Sequence, residues 1–257
     1  EPAPIPTVDI DDNSQAIVLG ETRLTQARMV YVYPCTQVLY QSVMTHNPSR
    51  SCHALFPVEG VSWCDAILFC NKLSLLLGLE TCYDIPSGFV EACSNQSSYK
   101  DEGLDALSKE VVWNRAANGF RLPTEAEFEL AMKGSDEDDR PFPWGRDRPT
   151  CDTAVFFTNE ALCESRPQPV GSRSVDSYSP EGIADLSGNV AEWVSDWYAP
   201  YTADTLDNPR GPDTGQHKVL RGGGFRDSAD GLRSMDRLGV DPERRSEGIG
   251  FRCAVSP

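Results

Sequence analysis

The sequence predicts an α+β domain of short elements joined by much irregular chain. Three observations carry this. Thr36–His46 and Val61–Leu77 repeat apolar residues at helical spacing. The C-terminal third shows short β-rich runs separated by Gly, Pro and Asp. Twenty glycines and nineteen prolines in 257 residues favour many turns over a helical bundle.

Taken in order, Glu1–Asn13 is Pro-rich and acidic, and residues 1–27 read as a tail and lead-in to a domain spanning 28–257. Arg28–Tyr33 alternates as a strand does. Thr36–His46 offers Val38, Tyr40, Val43 and Met44 for a buried side, and Asn47-Pro48 ends that helix. Val61–Leu77 is the clearest helix. Trp63, Ala66, Ile67, Cys70 and Leu73 make one stripe, and Gly78 is placed to cap it. Ser94–Asn118 is polar and reads as an insertion or long loop, with Val111–Trp113 as a short strand. Thr124-Glu125-Ala126-Glu127 is a capping box opening a helix that runs to Gly134. Val190–Tyr198, Val219–Phe225, Leu232–Arg237 and Ile249–Ala254 are the remaining expected strands.

Composition narrows the function. Lys+Arg is 23 against Asp+Glu 39, a net charge of −16, which repels phosphate backbones and anionic lipid. Nucleic acid is therefore not expected as a partner, and no apolar run is long enough for membrane insertion. No signal peptide remains at Glu1, which reads as a chain already processed or trimmed. Nine cysteines without a C-x-x-C pair favour disulfides in an oxidising compartment, so the location expected is extracytoplasmic: secreted, periplasmic or surface-anchored. Buried free thiols are the alternative. Cys82/Cys93 and Cys151/Cys163 each enclose a short polar loop and are expected to pair; Cys52–Cys64 is a further possible bridge, and an odd count leaves one thiol over.

Four segments then carry a resemblance: Gly119-Phe120-Arg121-Leu122-Pro123-Thr124-Glu125-Ala126-Glu127; Phe142-Pro143-Trp144-Gly145; Leu186-Ser187-Gly188-Asn189-Val190-Ala191-Glu192-Trp193; and Arg221-Gly222-Gly223-Gly224-Phe225 with Gly250-Phe251-Arg252-Cys253. Asn47-Pro48-Ser49 and Pro57-Val58-Glu59-Gly60-Val61-Ser62-Trp63 add to them. The chain resembles the formylglycine-generating enzyme (sulfatase-modifying factor) family from roughly Tyr31 to Val255. The resemblance implies one compact α+β domain related to C-type lectin folds, with little regular secondary structure. It also implies a Cys70–Cys253 disulfide joining the central helix to the last strand, which on the chain-entropy argument contributes about 4–5 kcal/mol.

Activity does not follow from the fold. Family oxidases hold copper(I) between two thiolates after the glycine-rich segment, where this chain has Phe225-Arg226-Asp227-Ser228-Ala229-Asp230-Gly231-Leu232-Arg233 and no cysteine. The iron-dependent relatives need convergent histidines; His46, His53 and His217 lie in separate loops. Copper and iron are thus not expected. A Ca²⁺ ion is expected from the resemblance at Asp185, Gly188, Val190 and Glu192, since calcium takes hard oxygen donors from tight turns; otherwise Gly188-Asn189 simply makes a turn. A second family calcium site falls on Ala154-Val155, whose side chains lack a donor. Trp193 and Trp197 read as core before they read as a sugar platform. Arg221, Arg233, Arg237 and Arg252 are expected to meet buried carboxylates such as Asp196 or Glu192, or else to face an anionic ligand. The sequon Asn95-Gln96-Ser97 and the acidic run 136–139 read as chance pattern and solvated loop.

Two functions remain in view. The first is a non-catalytic module binding a protein or small-molecule ligand through residues 198–216 and 225–245, with Arg226, Asp227, Asp230, Asp236 and Arg244 as contacts, the region that diversified receptors of the family use. The second is a family enzyme with a divergent metal site.

Overall fold

The computed structural model describes residues 7–10, 17–19, 22–24, 28–94, 102–134, 140–158, 160–201 and 206–255. Asn95-Gln96-Ser97 and the run 136–139 lie outside them.

Two four-stranded sheets organise the chain. One has the order β1 (Thr7–Ile10), β4 (Arg28–Tyr31), β13 (Ala254–Val255), β7 (Phe120–Arg121). The other has the order β11 (Leu238–Val240), β10 (Lys218–Arg221), β8 (Ala191–Trp197), β12 (Ile249–Phe251). In the second sheet β12 runs parallel to β8 and the other pairs are antiparallel. Smaller ladders join β2 (Ile17–Leu19), β3 (Thr22–Leu24) and β9 (Leu206–Asp207), and β5 (Tyr83–Asp84) with β6 (Val112–Trp113). Three of these strands therefore lie within the stretch read as a tail and lead-in.

The helices form where the sequence provides caps. Thr36 caps α1 (Gln37–Met44), and Ser62 with Asp65 makes a reciprocal box on α2 (Trp63–Leu76). Gly78, at φ +73°, turns the chain away after Leu77. The Thr124–Glu127 box opens α5 (Glu125–Lys133), as expected, and Gly134 follows it. The long polar segment holds more structure than its composition shows: α3 (Phe89–Ser94) leads into it and α4 (Glu102–Glu110) lies within it. Leu232–Arg237 is not a strand. A short 3₁₀ turn occupies Ala229–Leu232 and the strand begins at Leu238, because Leu232 turns inward and Ser234 bonds the Pro141 carbonyl.

The largest core lies between α1, α2 and the second sheet. Tyr40 stacks on Phe69 at 5.4 Å and Phe251 meets Phe69 edge-on at 5.2 Å. Trp193 is fully buried and Trp197 nearly so, which makes both core residues. A second core puts Phe128, Leu130 and Ala131 of α5 together with Val194, Val219, Val30 and Ala254.

Cysteine pairing differs from expectation in two of three cases. Cys151–Cys163 is bridged as its spacing implies. Cys93, however, bridges Cys64 and not Cys82, because α3 folds back on α2 and brings their Cα atoms to 6.1 Å. Cys82 instead sits beneath the Ala117 carbonyl, and Cys52 is exposed and free, so Cys52–Cys64 does not form. Cys70 and Cys253 meet as the resemblance implies, but as two buried thiols 3.9 Å apart, not as a bond.

Candidate recognition face

The face is assembled where β10 ends. Gly222 and Gly223 take φ +82° and +64°, and a Cβ on Gly223 would stand 2.6 Å from the Gly231 carbonyl oxygen. Only glycine lets the chain double back this closely. The next turn is closed by Asp227, whose carboxylate accepts from the Gly224 N–H at 2.8 Å while its carbonyl accepts from the Phe157 N–H at 2.8 Å. Leu232 is buried, Ser187 donates to its carbonyl, and the Ser234 hydroxyl donates to the Arg140 carbonyl. Between these pins Arg226, Asp230, Arg233 and Met235 point outward.

A buried ionic frame underlies the face. The Arg237 guanidinium grips Glu125 with two bonds of 2.7 and 2.6 Å and donates to the Ala199 carbonyl at 2.6 Å. It lies between two rings, 4.4 Å from that of Tyr198 and 4.2 Å from that of Tyr201. The Tyr201 hydroxyl donates to Glu125 at 3.0 Å. Arg221, fully buried, donates to the Ser234 and Asp236 carbonyls and stands 3.6 Å from Glu125 and 3.8 Å from Glu129. Behind it the Asp196 carboxylate accepts from the Glu125 N–H at 2.8 Å. Burial, with Glu125 nearby, pushes Asp196 up to about 7. Lys218 sits between the Trp63 and Trp197 faces at 3.9 and 3.8 Å and donates to the Ser195 carbonyl at 2.9 Å. Burial holds its ammonium well below the ordinary lysine value, opposed by Asp196.

The five expected contacts do not form one cluster. Asp227, Asp230 and Asp236 gather around Gly231, whose Cβ would stand 3.4 Å from the Asp227 Cβ and 3.9 Å from an Asp236 carboxylate oxygen. Asp230 is exposed and pairs with Arg233 at 3.3 Å. Arg226 reaches Glu247, which Arg50 also meets, and Arg244 is exposed on the following turn. Four exposed residues of the expected segments were not named among the contacts: Tyr198, Tyr201, Met235 and Leu238. The available signal was Tyr-x-x-Tyr directly after a buried tryptophan, and two large apolar residues within a charged segment.

The donors expected for calcium have other partners. Both oxygens of Glu192 accept from Arg252 at 2.7 Å, and Asp185 accepts from the Gly171 N–H at 2.6 Å. Among the described residues no three acidic, His or Cys side chains converge; the expected calcium set is two carboxylates and two backbone carbonyls, and both carboxylates already accept hydrogen bonds. The stretch after the glycines does not fit copper(I), since it holds no thiol. The buried free cysteines lie in the α1–α2 core, where burial pushes Cys35 and Cys70 far above the ordinary thiol range. No described helix is long and apolar enough to cross a membrane.

Comparison with known proteins is consistent with this geometry. Residues 15–257 match the profile of the Sulfatase-modifying factor enzyme 1-like domain. The chain is 31% identical over 207 residues to the chaperone protein LppX of Paenibacillus barcinonensis, covering 75% of this chain and 67% of that one. It is 32% identical over 169 residues to the formylglycine-generating enzyme of Thermomonospora curvata, covering 57% of this chain and 54%, about half, of the relative. Among solved structures, Treponema denticola variable protein 1 superposes with a TM-score of 0.77 at 31% identity, covering 98% of this chain and 95% of its own.

Proposed function

Because the chain belongs to the sulfatase-modifying factor enzyme 1-like family, we propose that it is a non-catalytic binding module whose recognition surface lies on 198–216 and 225–245. One observation carries this reading. The outward residues Asp230, Met235 and Leu238 stand beside a buried frame of Arg221, Glu125 and Leu232, so they can change without disturbing the core. The likeness to a protein named for its variability supports it over nearly the whole chain. The two disulfides and the family support an extracytoplasmic setting.

The runner-up is a family oxidase, favoured by the likeness to the formylglycine-generating enzyme of Thermomonospora curvata and by the Cys70 and Cys253 thiols 3.9 Å apart. Both are buried and Cys70 is held protonated, which suits packing better than binding a soft metal. The test is mass spectrometry of a cysteine-containing sulfatase-type peptide incubated with the protein, copper(I) and oxygen. We expect the cysteine mass to be unchanged; copper-dependent conversion to formylglycine would overturn the module.

Calcium at Asp185, Gly188, Val190 and Glu192 is no part of this reading, since Arg252 occupies Glu192. Chelation is expected to leave the melt unchanged. A melt that falls with EDTA and recovers with Ca²⁺ but not Mg²⁺ would restore the ion.

A further inference from the structure

The two outer strands of the second sheet are treated differently by the fold. β12 is buried, and its Phe251 carbonyl accepts from the Cys35 N–H at 2.8 Å. β11 has no such cover. Among the described residues the Leu238–Val240 backbone bonds only to β10, and Leu238 and Gly239 are exposed. In an antiparallel ladder alternate residues turn their N–H and C=O groups to opposite sides, so some of these donors and acceptors face outward. Edge strands usually carry a guard such as lysine, proline or a bulge. β11 reads Leu-Gly-Val in unbroken register with β10, and the charge before it, Arg237, is turned inward onto Glu125. Its shortness is the one restraint it has.

The register also sets what borders this edge. Leu238 and Val240 pair with Leu220 and Lys218 on the face of the largest core, while Gly239 pairs with Val219 on the face of the second. Leu238, 49% exposed, therefore stands beside the edge on one face. On the other, Tyr198 packs over Gly239, where a Cβ would come within 2.7 Å of its ring. An added strand meets both at once, because its successive side chains point to opposite faces. Exposed charges nearby are of both signs, with Arg226 and Arg233 beside Asp230, so charge does not choose the partner. The backbone does.

Resting on the binding-module reading, we propose that the outer edge of β11 takes up an extended segment of a partner protein as a further strand of the second sheet. Main-chain hydrogen bonds to Leu238–Val240 supply the affinity, and Leu238 on one face and Tyr198 on the other select alternate side chains. A small molecule cannot span such a ladder. A nucleic acid offers no strand and is repelled by a net charge of −16.

The experiment uses the full chain, labelled for amide NMR, and two short peptide probes. The first alternates valine and threonine, which favour strands. The second is the same peptide with its amides N-methylated, which keeps the side chains and removes the donors. The first is expected to shift the Leu238, Gly239 and Val240 amides and slow their hydrogen exchange, and the second to leave both unchanged. Leu238→Thr keeps a strand former at the edge and should alter affinity by about fivefold at most.

Equal binding of the methylated peptide overturns the proposal, since side chains alone would then suffice. So does a loss of about tenfold or more in Leu238→Thr, which would make the contact a side-chain patch. Shifts that miss β11, or no binding of either peptide, overturn it too. A dimer of the protein alone with the same amides protected assigns the edge to a second copy and removes the partner. These failures are separable from failure of the module itself. A negative peptide result with no formylglycine formed removes only strand addition, whereas formylglycine formation removes the module whatever the peptides do.

Discussion

Arg252 shows how much one side chain can hold in this family's scaffold. Its guanidinium is fully buried and donates to both Glu192 oxygens, to the Tyr31 and Val32 carbonyls at 3.1 Å, and to the Ala184 carbonyl at 3.0 Å. It thereby links β8, β4 and the 183–185 turn to the last strand. Burial pushes Glu192 up, and Arg252 opposes that shift. Arg252→Ala is expected to destabilise the protein by roughly 3–5 kcal/mol, because it strands a buried carboxylate. Urea unfolding measures the loss. Arg252→Met combined with Glu192→Leu should recover a large part of it; a double variant no better than the single one would argue against a stranded charge. That one of Arg221, Arg233, Arg237 and Arg252 meets Glu192 was legible in the sequence, since four arginines in an acidic chain need carboxylates; which one was not. That both oxygens of this carboxylate accept from Arg252 was not, because the motif shows donors in register without showing which donor already has a partner.

At the scale of elements, α5 is the hinge between frame and face. Its first residue, Glu125, receives Arg237 from the start of β11 and Tyr201 from the loop after β8, while its N–H reaches Asp196 on β8. Glu125→Gln should therefore loosen 198–201 and 236–240 together. Hydrogen exchange should rise in those segments before the rest of the chain, with a global cost of about 3 kcal/mol or more. Uniform change across the chain would show that Glu125 supports the core and not the face.

The capping box that creates α5 could be read directly, because Thr124 and Glu127 act within four residues. The role of Glu125 could not, since its partners lie 71 to 112 residues away. The same limit explains the cysteines. Local spacing favoured Cys82 for Cys93, whereas pairing is decided by the return of α3 onto the first turn of α2. Leu232–Arg237 misled for a related reason: its alternation reflects alternate pinning into the core and exposure, without strand hydrogen bonding.

For the molecule as a whole, the buried Asp196 and Lys218 set a dependence on pH. Asp196 titrates near 7 when folded and near 3.8 otherwise, so between those values the folded chain holds a proton that the unfolded chain has released. Its contribution to stability is full below pH 3.8 and is lost as pH rises through about 7. Lys218 acts oppositely at higher pH, where the unfolded chain binds the extra proton and stability from this group increases towards 10.5. Asp196→Asn removes the first effect and, because Asp196 opposes the lowering of Lys218, strengthens the second. Against the wild type, the variant should gain stability between pH 5 and pH 8, on the order of a few kcal/mol. Thermal melts at the two values decide it, and parallel curves would mean that Asp196 is already ionised at the lower one.

The position of the final strand bears on how such a chain is made. β13 lies between β4 and β7, pairing with Val30 and Met29 on one side and with Arg121 and Phe120 on the other. During synthesis from the N-terminus, β4 and β7 emerge long before Ala254, and each then presents an unpaired edge towards the other. The first sheet cannot close until Ala254 and Val255 have been made, however slowly translation proceeds. Assembly of this half of the molecule is thus a late event, and until then the nascent chain stays open to chaperones and to mispairing with its neighbours.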